Sequence, residues 1–581
     1  MSLRARRLWL AGITFLSIVP LWLFRYVPMT DAPNHLLAAF IAVHYTDPRF
    51  SFARYFTLDL TPRSNILGHY IMILFLRLGV SPEATLRLLA TLIVLATLWG
   101  LYALLRVYRG PNHASLWFPM GVLLAYTWFF HQGFLNFTLS VALALWTVAL
   151  AGYWGVWPSS SSQPARHPSP WAVGILTGML YLTYLAHAMG LAMALLSGGL
   201  LTLARLWHER TSPTRWHRWF TVTGWAGAPV LFTALLMLAV SRLSPNARGE
   251  VGVFLTPPFI VWAPLSRKIA ELRYGLLSFA PWREQWILLP AFLLLLVGWI
   301  RTLRRPGVWH TATLVAFALY LALPMGFWVP FFIYERFWLF TLIFAVAALP
   351  NYTKRPWRLL VRGTLFVVFM AFLLNLTNSY RIANRDLQAY DEVLTYLPEG
   401  TWAFPFTYYH LGRVSPPRHF WAYAMMRKDV FIPMVFAEVY HPVQYRPDIP
   451  RPTPLRYEDG FFAEHARNRA TLWVREDDPL MQAVVLPKLG RHGYQPGARI
   501  GPYRIYQLAT WPPPVPPEAR PHIRPEVAAA YEALLVYGYP PPELVAEIQQ
   551  AYVIDVQSGL ATLYRRRSDV VSRATSHITR P

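Results

Sequence analysis

The chain has 581 residues, of which 55% are hydrophobic and only 14% are charged, whereas a soluble protein carries about 25% charged residues. Its 53 Lys and Arg outnumber 29 Asp and Glu, but they stand in short loops between apolar stretches, which is typical of membrane proteins and argues against nucleic-acid binding. Because the sequence contains no cysteine, disulfides, thiolate metal sites and cysteine nucleophiles are excluded.

Apolar stretches long enough to cross a bilayer, about 20 residues each, recur from the N-terminus to about Asn375. The first, Leu8–Val27, follows three arginines and has no small-residue cleavage site after it, so it is predicted to be an uncleaved anchor. Ten further spans are predicted at Leu86–Leu105, Leu116–Phe130, Leu135–Val156, Trp171–Ala186, Met189–Leu206, Phe220–Val240, Trp286–Ile300, Thr311–Val329, Phe337–Leu349 and Leu359–Leu376.

One segment, Asn65–Leu78, either crosses the membrane or only enters it, because it is short and contains His69 and Arg77. If it does not cross, the basic clusters between the spans are cytoplasmic and the outer hairpins contain no Lys or Arg, as the positive-inside rule requires. If the segment crossed, every later loop would lie on the opposite side of the membrane. We therefore expect a mainly α-helical bundle of about eleven spans, possibly twelve, with the N-terminus in the cytoplasm and the C-terminal domain outside.

The organisation predicted from these spans is a membrane domain over residues 1–377, with an outer loop over 28–85. A soluble α/β domain over 378–511, a Pro-rich linker over 512–525 and a helical tail over 526–581 with a disordered end follow it. The excess of Arg over Lys and the 50 prolines suggest a bacterial source, and hence the bacterial cytoplasmic membrane. The predicted helices after the last span are Arg385–Leu397, His419–Arg427, Leu480–Arg491, Glu526–Val536 and Glu543–Tyr552; the strands are Thr401–Phe406, Thr471–Arg475 and Tyr503–Leu508.

This topology places four groups of polar residues at the outer membrane surface. They are Thr30–His35 after the anchor, the turn His131–Asn136, His187 in a second turn, and Tyr334–Arg336 at the start of a later span. Ionisable groups at membrane depth are costly and tend to be functional. The pattern therefore predicts a polar pocket that is covered by the soluble domain.

Each of these residues also has a purely structural interpretation. His131 and His187 are suited to cap helix ends, and Glu335 with Arg336 to anchor a helix end at the lipid headgroups. Asn136 is suited to bind backbone groups of its turn. Asp31 fits the N-cap of a helix, since a proline follows it closely, although an N-cap residue can still act as a base.

The segment after Asp31 predicts an amphipathic helix in the membrane interface. Asp31 and His35 are four residues apart, so they lie near one face of the helix, above an apolar stripe that follows. Asn65 and His69 have the same spacing in the next segment.

This arrangement resembles the N-terminal module of the GT-C superfamily of membrane glycosyltransferases, which includes aminoarabinose transferases and protein O-mannosyltransferases. The residues that carry the resemblance are the uncleaved first span, the loop opening at Asp31 with its helix, the segment ending in Phe75–Val80 and the span beginning at Glu83. The resemblance implies a polyprenyl-phosphate-linked sugar as donor, an acceptor hydroxyl at the outer face and contact with membrane lipid. It implies no nucleic acid. With the single acid Asp31 where many relatives have two, a divalent metal cofactor is possible but not indicated.

Under this resemblance, Asp31 is the expected general base that takes the proton of the acceptor hydroxyl. Arg336, and after it Arg63, are the candidates to stabilise the leaving phosphate. His35 is expected to bind phosphate or to orient Asp31. The remaining candidates for substrate binding are His69, His131, Asn136, His187 and Glu335.

Two other functions stay open at this point. A transporter would place charges or broken helices near the bilayer midplane, whereas the polar residues here cluster at one edge. A non-catalytic membrane scaffold would use the outer domain to bind partners. Motifs of nucleotide hydrolases, serine hydrolases and zinc peptidases are not found in the sequence.

Overall fold

The structure is a computed structural model that describes residues 2–157, 168–211, 215–242, 259–327, 332–408, 411–437, 441–446, 471–477, 481–500, 502–509 and 531–567. Helices dominate the chain up to residue 395, and strands dominate the rest. The helices are α1 (Leu3–Trp22), α2 (Ala32–Val43), α3 (Phe52–Tyr55), α4 (Leu67–Arg77), α5 (Pro82–Arg109), α6 (Pro111–Trp117), α7 (Met120–Ala125), α8 (Trp128–Gln132), α9 (Leu135–Tyr153), α10 (Pro170–Ala186), α11 (Ala188–Glu209), α12 (Arg215–Ser241), α13 (Leu265–Tyr274), α14 (Pro281–Thr302), α15 (Val308–Ala322), α16 (Ile333–Ala348), α17 (Arg355–Thr395), α18 (Ala422–Met425), α19 (Leu486–Leu489) and α20 (Pro542–Ala551).

The protein is a multi-pass membrane protein. Six of the described helices are long and apolar enough to cross a bilayer, namely α5, α9, α11, α12, α14 and α17. Two helices that were also predicted as spans, α10 and α15, are apolar but shorter. The predicted total of about eleven spans stays a prediction.

Two predicted segments of the membrane domain have a different structure. The predicted span Leu116–Phe130 is wrong as a single helix, because α6, α7 and α8 divide it; Pro119 has no backbone N–H with which to continue α6. The doubtful segment Asn65–Leu78 forms α4, which has 11 residues. At 1.5 Å per residue it is about 16 Å long, too short to cross a hydrocarbon core of about 30 Å by itself.

The helix after Asp31 is not amphipathic, contrary to prediction. Every residue of α2 from Ala32 to Ala42 is buried. The helix lies between α4 and α5 on one side and α18 and the strand Val443–Tyr445 on the other. A helix that is buried all round is part of a core, so α2 joins the membrane domain to the soluble domain instead of lying on the lipid surface.

Two β-sheets connect the two domains. Their strand order is β1–β5 in a two-stranded sheet and β3–β2–β6–β8–β7 in an antiparallel five-stranded sheet. Because β1, β2 and β3 belong to segments between the helices of the membrane domain, the C-terminal strands are fixed to that domain by backbone hydrogen bonds. The strand bounds are β1 (Phe56–Leu58), β2 (Phe259–Trp262), β3 (Gly326–Phe327), β4 (Ala403–Tyr408), β5 (Val443–Tyr445), β6 (Thr471–Arg475), β7 (Tyr494–Ile500), β8 (Tyr503–Leu508), β9 (Ala533–Gly538), β10 (Tyr552–Ser558) and β11 (Ala561–Arg566).

The C-terminal tail belongs to the soluble domain. The helix predicted near Glu526–Val536 is wrong over residues 533–536, which form β9 at the centre of the sheet β10–β11–β9–β4. This buried apolar strand pairs in parallel with β4, and such strands lack the alternation that identifies a strand in a sequence. The helix predicted at Glu543–Tyr552 matches α20. Strand β11 extends to Arg566, beyond the predicted start of disorder at Arg565, whereas the Pro-rich linker and residues 568–581 lie outside the described residues.

The predicted domain boundary at residue 377 falls inside a continuous helix. Helix α17 has 41 residues and includes both the last predicted span and the helix predicted after it. Asn384, in its C-terminal half, exchanges two hydrogen bonds of 2.9 Å with the backbone of Tyr26. Arg25 forms ion pairs with Glu83 at 3.1 Å and Asp391 at 3.2 Å. These contacts tie the end of the anchor segment to the helix that enters the soluble domain.

Candidate active site

The first two polar groups predicted from the sequence are in direct contact. The backbone N–H of Asp31 donates to the carbonyl of Gln132 at 2.9 Å. Gly133, the next residue of the turn, has φ +89°, and a Cβ atom built there would lie 2.5 Å from the backbone nitrogen of Ala32. Only glycine accommodates both this backbone conformation and this close approach. The turn is thereby held against the start of α2.

Asp31 occupies the N-cap position of α2, but its carboxylate makes no capping hydrogen bond. Instead, Oδ1 lies 3.5 Å from Nε2 of His419, and Oδ2 lies 3.5 Å from Nε2 of Gln132, both at the long limit for a hydrogen bond. The side chain is 14% exposed. Burial raises the pKa of Asp31 to about 6, against the opposing effects of Arg418 and Gln132. Asp31 is therefore a weakly bonded carboxyl group that titrates near neutral pH.

The soluble domain contributes His419, which sequence reasoning did not identify. Asn34, in the first turn of α2, donates to the carbonyl of Met434 at 2.9 Å and accepts from the N–H of Phe436 at 2.8 Å. Its amide nitrogen also lies 3.2 Å from Nδ1 of His419. Burial holds the pKa of His419 well below its usual value, so its ring is neutral and forms no ion pair with Asp31.

His35 faces other histidines and not Asp31. Its Nδ1 lies 3.2 Å from Nε2 of His69, and its ring packs against Phe436 and His441. Burial lowers the pKa of His35 to about 4, so the ring is neutral at physiological pH. Among the described residues no hydrogen bond joins His35 to the carboxylate of Asp31. The histidine next to that carboxylate is His419, and not His35 as expected.

Asn136 and His69 hold the start of α4. The Asn136 side chain accepts from the N–H of Gly68 at 2.6 Å and donates to the carbonyl of Asn65 at 2.9 Å. Its amide nitrogen lies 3.5 Å from Nδ1 of His69. Asn136 thus binds backbone groups, which is the structural interpretation left open for it, although the backbone is that of α4 and not of its own turn.

Arg63 links the outer loop to the soluble domain. It is fully buried, forms an ion pair with Asp59 at 2.8 Å and donates to the carbonyl of His441 at 2.7 Å. These contacts pair the guanidinium group with partners inside the protein. They leave Arg336 as the leading candidate to bind phosphate.

The two histidines expected near the site both have local partners. His131 is 1% exposed, with Nδ1 2.9 Å from the hydroxyl of Ser278 and Nε2 3.1 Å from that of Tyr380. His187 is the N-cap of α11, since its Nδ1 accepts from the N–H of Met189 at 3.0 Å. These contacts agree with the capping and structural interpretations.

Arg336 lies near the residues that follow the same turn, whereas Asp31 contacts the turn itself. Its guanidinium lies 4.9 Å from the ring centre of Phe137 and 5.8 Å from that of Phe134, and its charge acts on His187. Its side chain is buried without an ion pair to any described carboxylate, and both oxygens of the neighbouring Glu335 receive no hydrogen bond from the described residues. Burying charged groups without partners is costly, which favours a functional role for this pair.

A charged layer on α13 surrounds this pair, and the sequence did not predict it. Arg267 forms an ion pair with Glu271 at 2.8 Å, and the hydroxyl of Tyr334 donates to Glu271. The charges of Arg267 and Glu271 both act on Glu335. Lys268 donates to two backbone carbonyls at the end of α15, so its ammonium is already bound.

The four predicted polar groups therefore converge around residues 131–137. On one side lies a carboxyl group suited to accept a proton, and on the other an arginine that forms no ion pair with the described carboxylates and is suited to bind an anion. Within the described ranges, no group of three or more His, Asp or Glu residues is placed to hold a metal ion.

The sequence matches no protein-family model and no curated protein. The fold is similar to that of ArnT from Cupriavidus metallidurans in the apo state, a GT-C membrane glycosyltransferase, with 12% identity, a TM-score of 0.52 and coverage of 97% of this chain and 98% of ArnT. The same ArnT has also been solved bound to undecaprenyl phosphate. Arabinofuranosyltransferase AftD from Mycobacteria has 14% identity and a TM-score of 0.46, over 98% of this chain and 40% of AftD. The ArnT match shows that this chain has the same fold as ArnT.

Proposed function

We propose that this protein is a membrane glycosyltransferase that moves a sugar from a polyprenyl-phosphate donor to an acceptor hydroxyl at the outer face of the membrane, with Asp31 as general base. The observation that carries the proposal is the carboxylate of Asp31, which sits at a helix N-cap without capping it and has a pKa of about 6. A structural N-cap aspartate would bond to the backbone of its helix and would have a lowered pKa.

In the proposed reaction, the acceptor oxygen attacks the anomeric carbon of the sugar while Asp31 accepts the hydroxyl proton. The bond between the anomeric carbon and the phosphate oxygen breaks, and polyprenyl phosphate leaves with the electron pair. A base with a pKa near the working pH is suited to this transfer, because it is ionised yet still basic. The neutral ring of His419 does not offset this basicity, as an ion pair would.

We assign to Arg336 the stabilisation of the negative charge that develops on the leaving phosphate. Its guanidinium is buried over Phe137 and has no described carboxylate partner, so it can bind phosphate without first breaking an ion pair. Two other cations nearby are less suitable, since Arg267 is paired with Glu271 and Lys268 is bound to carbonyl groups. Undecaprenyl phosphate in the ArnT structure is a ligand of the kind proposed here. The proposal includes no metal ion.

The test is transfer from a polyprenyl-phosphate-linked sugar by the purified full chain, measured as release of polyprenyl phosphate. Asp31→Asn is expected to lower the rate by a factor of about 10² to 10⁴, the usual contribution of a general base. Asp47→Asn is the matched control, because Asp47 lies in the same outer loop and pairs with Arg49 at 2.7 Å. The wild-type rate should also rise with pH and reach half its maximum near pH 6, as Asp31 loses its proton.

The alternatives predict other results. A scaffold would lose no cellular function on Asp31→Asn, and a transporter would move its lipid without cleaving it. Donor cleavage that survives Asp31→Asn in the folded protein would refute the assignment of the base.

A further inference from the structure

A cavity of about 380 Å³ lies at the end of the helical bundle away from Asp31. It is lined by the ends of α5, α14 and α16 and by the loop before α15. Helix α16 separates the two sites, with Arg336 in its first turn and Ala348, which lines the cavity, at its last residue. At 1.5 Å per residue, these two positions are roughly 18 Å apart along the helix. The cavity is therefore distinct from the candidate active site.

Four arginines line this cavity, namely Arg109, Arg301, Arg304 and Arg305. None of them forms an ion pair with a carboxylate in the part of the chain that the structure describes, and residues 106–113, 301–310 and 348–358 contain no Asp or Glu. Nε of Arg109 is buried without a hydrogen-bond partner among the described residues. The cavity therefore concentrates positive charge that no carboxylate among the described residues neutralises.

The loop that carries two of these arginines has a fixed conformation. His310 accepts from the N–H of Gly307 at 3.1 Å through Nδ1, and its Nε2 lies 2.9 Å from the hydroxyl of Thr302. The guanidinium of Arg301 lies 5.1 Å from the ring centre of Trp357. A preformed site binds its ligand at a lower entropic cost than a mobile one.

The chemistry of the cavity fits a phosphate ester. Guanidinium groups bind phosphate oxygens in pairs, with better geometry than lysine provides. A volume of about 380 Å³ exceeds the need of a single inorganic ion and lies in the range of pockets that bind small organic molecules. Ile300 and Leu303, beside the cavity, expose 53% and 40% of their surface, which provides an apolar surface for acyl chains next to the basic group.

We propose that this basic cavity binds the phosphate group of an anionic phospholipid in the leaflet opposite to the candidate active site. The proposal does not depend on the transferase activity. Basic pockets between helix ends on the cytoplasmic side are a recognised type of lipid-headgroup site, and the positive-inside topology places this end of the bundle in the cytoplasmic leaflet. The lipid would bridge α5, α14 and α16, and so would stabilise the bundle.

The test uses the purified full chain in detergent, with the unfolding temperature measured during titration with phosphatidylglycerol, phosphatidylcholine or glycerol 3-phosphate. Phosphatidylglycerol should raise the unfolding temperature in a saturable way, because a ligand that binds only the folded state stabilises it. The triple variant Arg301→Gln/Arg304→Gln/Arg305→Gln should need at least about tenfold more lipid for half of the effect, since each lost charge-assisted hydrogen bond weakens binding.

The matched control is Arg106→Gln/Arg355→Gln/Arg358→Gln, which removes two exposed arginines and one half-buried arginine from the same end of the bundle but outside the cavity. It should respond like the wild type. If the first triple variant does not fold, Arg304→Gln/Arg305→Gln replaces it, because both side chains are exposed in a loop.

An equal effect of glycerol 3-phosphate would support the phosphate site and assign it to a soluble ester. Equal effects of phosphatidylglycerol and phosphatidylcholine, or equal losses in both triple variants, would overturn the proposal.

Discussion

The replacement Asp31→Asn should stabilise the folded protein while it lowers the rate of transfer. The pKa of Asp31 is raised from 3.8 to about 6 in the folded state, so folding disfavours the ionised form. A pKa difference of about 2 between the folded and unfolded states, at about 1.4 kcal/mol per unit, lowers the free energy of unfolding by roughly 3 kcal/mol above pH 6. Asparagine has nearly the same shape and no charge, and so recovers most of this loss.

The sign of the effect fixes its pH dependence. A carboxyl group whose pKa is raised by folding binds more protons in the folded state, so its destabilising effect is absent below pH 3.8 and complete above about pH 6. The advantage of Asp31→Asn should therefore appear between these values. The assay is unfolding in mixed micelles at a series of pH values, with the free energy of unfolding compared between the variant and the wild type.

Asp59→Asn provides a control of opposite sign. Asp59 pairs at 2.8 Å with Arg63, which is fully buried, and removal of one partner of a buried pair costs about 3–5 kcal/mol. The reasoning would be refuted if Asp31→Asn lowered the free energy of unfolding, or changed it equally at every pH. Either result would mean that the carboxylate is well bonded in the folded state.

Three further predictions concern the anion site, the turn and the topology. Arg336→Gln should reduce transfer by about 10² to 10³, the usual effect of losing one charge-stabilising group, without lowering the unfolding temperature. Gly133→Ala should destabilise the protein by about 1–3 kcal/mol through backbone strain and its 2.5 Å contact, whereas Gly174→Ala, which meets nothing within 4 Å, should not. A cysteine at Tyr539, 76% exposed, should react with an impermeant reagent in intact cells, and one at the exposed Thr353 only after permeabilisation.

The sequence predicted which polar residues would meet, because topology alone decides which turns share a membrane surface. Asp31 and Gln132 are separated by several predicted elements, yet the alternation of spans and basic loops places both on the same predicted side of the membrane. The same reasoning predicted that Arg336 would lie near this turn. Such arguments require only the lengths of apolar stretches and the positions of charges.

Contacts that depend on the docking of a second domain could not be predicted in this way. The spacing of Asp31 and His35 predicted an amphipathic helix in the membrane interface, but His35 contacts His69 of α4 and packs against Phe436 of the C-terminal part. No local pattern marks His419 as the neighbour of Asp31, since several hundred residues separate them. The strand Ala533–Gly538 was missed for a related reason, because a short apolar run is ambiguous until its partner strand is known.

The soluble domain is part of the candidate site and not only a cover for it. Burial is the main cause of the raised pKa of Asp31, and His419 and the segment that bonds to Asn34 both belong to that domain. Removal of these groups should expose the carboxylate of Asp31 to more solvent and lower its pKa towards that of an ordinary aspartate. The buried helix α2 carries Asp31 and also packs against both domains. We therefore expect the basicity of Asp31 to be greatest when the two parts of the chain are assembled.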